Sequence, residues 1–420
     1  MGSFHVDREA KPERGSRYAP LRCAGFRRYL IGQLVSNIGT WMQRAAQDLL
    51  ILHLTGDSGA ALGILTALQF APQILFGLYG GLLADRCGKR RLLLITHTLM
   101  GIQALLLGAL TVTGAVTIWH LYALALSLGT FTAIDGPARN AFIAELVDRE
   151  QLPSAVSLSA AQFNIARILG PASAGMIVAL AGSGVVFLLN AASYLAALGS
   201  LLSLRADQPQ HSSRRDNRKL IDAFQHIRTR PHLLLPITLI GLIGTFGFNF
   251  QVTTALMTTT VFHSDPVAFG YVSACYAAGS LVGAILAAGC STPPTPARLI
   301  TSAVVFGVLE AISGLAPGCP AFMTALLPTG LASAIVLTTA NAMTQLNAGP
   351  GMRGRVMSIY LLVLLGGTPI GAPLAGLISD TLGARYTLIL GGLISALGTI
   401  ILAAAITLRR PTHCPQPNHG

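Results

Sequence analysis

Charge is scarce in this chain. Only 10% of its 420 residues are Asp, Glu, Lys or Arg, less than half of the roughly 25% that wets a soluble domain, and this excludes a soluble enzyme. Acidic side chains are the scarcest, 16 against 28 Lys and Arg. The cations lie in short loops between apolar runs, so the clustered basic surface of a nucleic-acid binder is missing and no nucleic-acid partner is expected. Six cysteines (Cys23, Cys87, Cys275, Cys290, Cys319, Cys414) are scattered without paired spacing, which argues against a disulfide framework or a thiolate metal site. No G-x-x-x-x-G-K-(S/T) occurs, and no polar stretch is long enough for a nucleotide-binding domain. Paired Asp, Ser/Lys and clustered His arrangements are also lacking, so neither an intramembrane enzyme nor a cofactor is expected.

Apolar residues make up 52% of the chain. A helix needs roughly 17 to 25 of them to cross hydrocarbon, and twelve stretches qualify, near 27–53, 60–84, 92–113, 117–137, 152–181, 184–204, 233–256, 267–289, 298–316, 319–346, 355–379 and 385–407. Residues 1–25 are polar and basic without the apolar core of a signal peptide, so the first span is the expected targeting signal. With the N-terminus inside, 25 of the 28 Lys and Arg fall on the inner side; Arg385 alone lies in an outer loop, and Arg44 and Arg167 lie within spans. The positive-inside rule therefore predicts an even number of spans with both termini cytoplasmic, in the inner membrane of a cell.

The basic segment 205–231 divides the chain. The expected organisation is a cytoplasmic tail (1–25), a six-helix half (26–204), the cytoplasmic loop (205–231), a second six-helix half (232–408) and a cytoplasmic tail (409–420). Leu169-Gly170-Pro171-Ala172-Ser173-Ala174-Gly175 in span 5 echoes Ile370-Gly371-Ala372-Pro373-Leu374-Ala375-Gly376 in span 11, as a duplication would leave. Within the loop, Leu220, Phe224 and Ile227 recur at helical spacing beside Arg218, Lys219, Arg228 and Arg230. That pattern predicts a short amphipathic helix on the inner leaflet, where the alternative is a solvated linker.

The turn between spans 2 and 3 reads Gly81-Leu82-Leu83-Ala84-Asp85-Arg86-Cys87-Gly88-Lys89-Arg90-Arg91. Gly81 allows close helix approach, Gly88 permits a tight reversal, and Asp85 sits with cations where span 2 meets water. Such a carboxylate can form an ion pair in one conformation and lose it in another. The run resembles the G-x-L-x-D-R-x-G-(R/K)-(R/K)-(R/K) signature of the major facilitator superfamily. Trp41-Met42-Gln43-Arg44-Ala45-Ala46-Gln47-Asp48, Asp135-Gly136-Pro137-Ala138-Arg139 and Arg353-Gly354-Arg355-Val356-Met357-Ser358 are similar to wording in the branch of enterobactin exporters and macrolide efflux proteins. The resemblance covers residues 26 to 408. It implies an all-α membrane protein of twelve transmembrane helices in two halves, with Gly81, Asp85, Arg86, Gly88, Lys89 and Arg90 gating the cytoplasmic side.

Span 5 carries Gly170-Pro171 followed by Ala174-Gly175. Proline removes a helix N–H and kinks the rod, while small residues let a neighbour slide. The run resembles the G-P-x-x-G-G signature of exporters, from which it departs at Ala174 and at Ala166.

Intramembrane charges are functional candidates, because each costs roughly 2.5 to 3.5 kcal/mol at a helix centre. Arg44 and Asp48 lie four apart on one face of span 1, either as a cavity-side proton carrier with its partner or as a structural ion pair. Arg167 in span 5 could bind an anionic substrate or pair with a carboxylate on another helix. Glu310 is the other carboxylate well inside a span and a weaker coupling candidate. The family's cavity helices are spans 1, 4, 7 and 10, which would make Gln33, Asn37, Asn249, Gln251, Asn341 and Gln345 substrate-facing; their alternative is helix-to-helix hydrogen bonding. His53, His97, His120 and His263 fall near span ends, where an interfacial role is expected rather than metal ligation. Trp41 and Phe70 could line an apolar cavity or simply pack.

The expected function is a monomeric exporter of a small amphipathic molecule (a drug, a secondary metabolite or a siderophore) driven by proton antiport. One proton through 100 mV supplies roughly 2.3 kcal/mol. An uptake permease of the same fold, or a membrane sensor that moves nothing, are the alternatives.

Overall fold

A computed structural model describes residues 19–86, 88–204, 220–289, 292–349 and 352–408, and for 77–86, 220–223 and 407–408 the backbone alone. Lipid offers the backbone no hydrogen-bonding partner, so a spanning segment must close its own ladder. Among the described residues there are helices and no strand. The first six long helices are α1 (Ala24–Thr55), α2 (Gly59–Arg86), α3 (Lys89–Val112), α4 (Ile118–Leu146), α5 (Leu152–Ala181) and α6 (Ser183–Leu202). After the short α7 (Leu220–Arg228) come α8 (Pro231–Phe246), α9 (Phe250–Leu256) with a π-helical turn (Met257–Val261), α10 (Pro266–Gly289), α11 (Pro296–Gly314), α12 (Cys319–Asn347), α13 (Arg353–Leu382) and α14 (Ala384–Leu408).

Counting Pro231–Val261 as one rod, ten of these helices are long and apolar enough to cross a membrane. Helices α1 and α4, at 32 and 29 residues, have the length but stand outside that group. They carry Gln33, Asn37, Arg44 and Asp48, and Asp135 and Arg139, so their polar content is what a lipid-facing helix could not hold. The outer faces of the other rods expose large apolar side chains such as Leu180, Leu195, Ile285 and Ile401.

Helix α1 packs on α5 and α6, α3 on α4 and α6, and α2 on α4, while α10 packs on α12, α11 on α12 and α14, and α8 on α13 and α14. Two further pairings join these groups: α2 with α13, and α5 with α10. We call the end where α1 and α5 begin the near end, and the end where α2 and α10 begin the far end. The joining contacts at the far end are backbone-close. A Cβ on Gly376 would collide with the Gly59 carbonyl, one on Gly63 with the Ala372 carbonyl, one on Gly175 with the Pro266 carbonyl and one on Gly270 with the Pro171 carbonyl. The two echoing runs of the sequence thus make matching contacts, Gly175 on the first residue of α10 and Gly376 on the first of α2.

Two segments differ from the sequence expectation, and the helix expected in the basic loop is present. Span 4, expected to end at 137, continues to Leu146; Pro137 is accommodated within the helix, and Asp135 and Arg139, four apart, pair with each other instead of seeking water. Span 7 is broken at Gly247–Asn249, where Gly247 N and Phe248 N share the Ile243 carbonyl at 2.7 and 2.9 Å. The Asn249 amide donates to the Thr245 carbonyl at 2.7 Å, replacing a backbone donor lost at the break. In the loop, Leu220–Arg228 is helical, with Ile227 buried and Phe224 exposed.

Candidate functional site

A cavity of about 620 Å³ lies between the two groups of helices. Its wall extends from Asp48 and Phe269 toward the far end to Gln33, Arg139 and Ala284 toward the near end. Of the residues singled out in the sequence, Gln33, Asn37, Trp41, Arg44, Asp48, Phe70, Arg167, Pro171, Asn249 and Gln251 line it, as do His97, Asp135 and Arg139.

On one wall, α1, α3 and α4 bring together a charged network. Asp135 is buried and accepts from Arg139 Nη2 at 2.7 Å and from Thr96 Oγ1 at 3.0 Å. Arg139 Nη1 also donates to Asn37 Oδ1 at 3.3 Å. His97 presents Nδ1 to Asp135 Oδ1 at 3.3 Å and to the Leu93 carbonyl at 2.8 Å. Its Nε2 lies 3.1 Å from the Gln33 amide nitrogen; with the amide as donor, Nε2 accepts and Nδ1–H donates to Leu93. His97 was expected at an interface, but α3 begins at Lys89 and places it inside the bundle. Arg139 was expected beyond the end of span 4, and Asp135 only two residues inside it. Their four-residue spacing was the available signal that they belong to a helix face.

The second network crosses between the two groups of helices. Gln251 of α9 donates its amide to Asp48 Oδ1 and reaches Gln69 Oε1 of α2, both at 3.1 Å, and Gln69 Nε2 donates to Gln47 Oε1 at 3.1 Å. Asp48 Oδ2 has no protein partner. The expected Arg44–Asp48 ion pair does not form: the ion pairs among the described residues join Lys89 to Glu145 and Arg139 to Asp135, beside the contact of His97 with Asp135. Arg44 instead lies over aromatic rings, 4.8 Å from the Phe70 centroid and 5.2 Å from that of Trp41, where the π faces attract the cation. Arg167 approaches Trp41 and Tyr276, each at 5.8 Å.

Three expectations place residues elsewhere. Glu310 is buried outside the cavity lining, beside Gly247 at the break of span 7 and with Ser395 of α14 nearby; Phe306, which crowds the same glycine, packs against the cavity-lining Phe248 and Phe250. Asn341 and Gln345 bond to each other at 2.6 Å and lie outside the lining, where Ser333 and Thr338 of α12 take their place. They sit too near the end of α12 to reach the chamber. In the kink run, Gly170 lets α5 close on Trp41 of α1, and Gly175 lets it close on α10.

Of the gating motif, Gly88 caps α3, Lys89 pairs with Glu145 of α4, and Arg90 donates to the Leu201 and Leu202 carbonyls at 2.8 and 3.2 Å. These two cations therefore tie α3 to α4 and α6. Gly81, Asp85 and Arg86 belong to the helical backbone of α2, but their side chains lie outside the described residues.

The sequence matches a family model described as transmembrane secretion effector over residues 15–413. It is 26% identical to the Staphyloferrin A transporter of Staphylococcus aureus over 91% of this chain and 96% of that protein. It is 25% identical to Macrolide efflux protein A of Streptococcus pyogenes, over 92% and 94%. In fold it is similar to a bacterial homolog of the human lysosomal transporter Spinster, solved in an inward-facing, unoccupied conformation, with a TM-score of 0.75, 14% identity and coverage of 95% of this chain and all of that one. With a central chamber walled by two sets of apolar helices and a family match over nearly its whole length, the chain is a multi-pass membrane protein that belongs to the transmembrane secretion effectors of the major facilitator superfamily.

Proposed function

We propose that this protein exports small amphipathic molecules by alternating access, driven by protons moving the other way. The observation that carries the reading is the chamber itself: charged and aromatic side chains converge in a space between two helix groups that glycine contacts hold together at the far end. With both termini cytoplasmic, as the Lys and Arg distribution implies, the near end of the chamber faces the cytoplasm of an inner-membrane protein. A substrate taken from inside would then leave by separation of α2 from α13 and of α5 from α10. Relatives named for siderophore and macrolide transport support a substrate of that size and character.

Asp48 is the proposed proton carrier. Its carboxylate holds Gln251 across the two groups, so a proton arriving there removes the charge that strengthens this bond and frees the two sides to move. Arg44 keeps a cation beside it, while Gly81, Asp85 and Arg86, with Gly88, Lys89 and Arg90, guard the near end. The protein works as a monomer.

Inverted membrane vesicles with an acidic lumen test this. At least one member of a panel of macrolides and iron-free siderophores should accumulate in the lumen, and a protonophore should abolish the accumulation. Drainage of preloaded substrate under the same gradient would mean uptake in the cell and would overturn the direction. Saturable binding without flux in either direction would overturn transport.

A further inference from the structure

The cavity is lined by three arginines, Arg44, Arg139 and Arg167, against two aspartates, Asp48 and Asp135. Their pairing is uneven. Arg139 and Asp135 satisfy each other at 2.7 Å, and Asp48 is held by the neutral Gln251. Arg44 and Arg167 have no carboxylate within ion-pair distance; the ion pairs of the described residues are all elsewhere. Arg44 is 6% exposed, and its Nε has no hydrogen-bond partner.

Both guanidinium groups address one ring. Arg44 Cζ lies 5.2 Å and Arg167 Cζ 5.8 Å from the centroid of Trp41, so their separation cannot exceed the sum of those distances. Two cations facing one ring in the same chamber repel. The π faces offset part of that cost, but a ring accepts no hydrogen bond in the guanidinium plane, where five N–H donors radiate. A group that presents oxygen lone pairs and negative charge there would satisfy both. A planar carboxylate matches the fork geometry of a guanidinium better than any neutral acceptor. Beside this point the wall is apolar and aromatic, with Phe70, Phe163 and Phe250.

We propose that Arg44 and Arg167 form an anion-binding subsite at Trp41, and that the substrates of this transporter are organic carboxylates with an apolar body. The acid group lies at the two guanidinium groups and the body against the phenylalanines. The inference deepens the export reading and rests on it only for the word substrate, because binding is measurable without a gradient.

Fluorescence of the purified full chain in an uncharged detergent tests the proposal. The sequence has two tryptophans. Trp119 is exposed and outside the cavity, so Trp119→Phe leaves Trp41 as the reporter. The probes share one body and absorb nothing in the tryptophan window: 3-cyclohexylpropanoate, its carboxamide and 3-cyclohexylpropylammonium. The carboxylate should shift Trp41 emission saturably and bind at least about ten-fold tighter than the carboxamide, with the ammonium weaker still; Arg44→Gln and Arg167→Gln should each erase most of that preference. Equal affinity for carboxylate and carboxamide would overturn the proposal, as would tighter binding of the ammonium or no saturable response to the carboxylate up to about 10 mM. The comparison among probes uses both arginines intact, so it stands even if an arginine variant fails to fold. A chain that binds the carboxylate but moves nothing in vesicles would sink the export reading alone.

Discussion

Gln251 hydrogen-bonds Asp48 at 3.1 Å and so ties α9, just beyond the break in span 7, to the first helix of the chain. A hydrogen bond to a charged acceptor is worth roughly 1.5 to 3 kcal/mol, and this one spans the surface along which the proposed cycle parts the two groups of helices. Asp48→Asn keeps the size of the side chain and removes its titratable proton. Uphill accumulation in vesicles should fall at least about ten-fold, while exchange of labelled for unlabelled substrate continues. Gln251→Ala keeps the proposed proton carrier but cuts the tie, so it should lower accumulation by about three- to ten-fold. Full accumulation by Asp48→Asn would remove Asp48 from the coupling step.

The far end has its own tie. Asp380, in the last turn of α13, accepts from Gly59 N at 2.6 Å, Ala60 N at 2.9 Å and Ser58 Oγ at 3.2 Å, and thereby caps α2. A side-chain cap of this kind contributes about 1 kcal/mol, to which the helix dipole adds. It exists only while α2 and α13 touch. Asp380→Ala should shift the population toward a chamber open at the far end by about five-fold. The check is labelling by a membrane-impermeant thiol reagent added on the far side, with Ser273→Cys in the cavity wall and the native cysteines replaced by serine. Unchanged labelling would mean that Asp380 caps a helix without holding the gate.

How far the sequence disclosed this arrangement depends on the range of the interactions involved. The helices were legible because a lipid-facing rod must be apolar along its length, and the far-end contacts were legible in part, since Gly175 and Gly376 stand at matching places in the two echoing runs. The chamber was half legible. Asp48 and Arg167 stand out as charges in apolar runs, but their partners are set by the mutual placement of helices far apart in the chain. Asp48 turns from Arg44, four residues away, to Gln251 because the break at Gly247–Asn249 starts a new helix at Phe250. His97 was hidden by a helix start set three residues too late. Asp135 and Arg139 were hidden by a proline that reads as a stop and is here absorbed in α4.

Close packing at the far end gives a steric prediction. A Cβ on Gly175 would run into the Pro266 carbonyl of α10, and one on Gly376 into the Gly59 carbonyl of α2. In both cases the obstacle is backbone and cannot rotate away. Gly175→Val and Gly376→Val should therefore hinder closure of the far end without touching the chamber. Transport should drop at least about ten-fold, while the protein still inserts and elutes as a single species in detergent. Far-side thiol labelling at Ser273→Cys should rise in both variants. Transport within about two-fold of the parent would show that these contacts are not remade in each cycle.

Glu310 separates burial from coupling. Its Oε2 has no protein partner, and neither does the hydroxyl of Ser395 nearby; both lie within van der Waals reach of a Cβ placed on Gly247. An isolated carboxylate in such surroundings is costly, and no cation lies within ion-pair distance of it among the described residues. Asp48 lines the chamber and Glu310 does not; Phe306, which with Glu310 crowds Gly247, meets the cavity-lining Phe248 edge to face at 5.3 Å. Glu310→Gln has the shape of a protonated acid and should keep uphill transport within about two-fold of the parent. Glu310→Lys introduces a buried cation with no counter-charge and should cut the yield of folded protein severely. Loss of proton-driven accumulation in Glu310→Gln, with substrate exchange retained, would assign the coupling proton to α11 instead of α1.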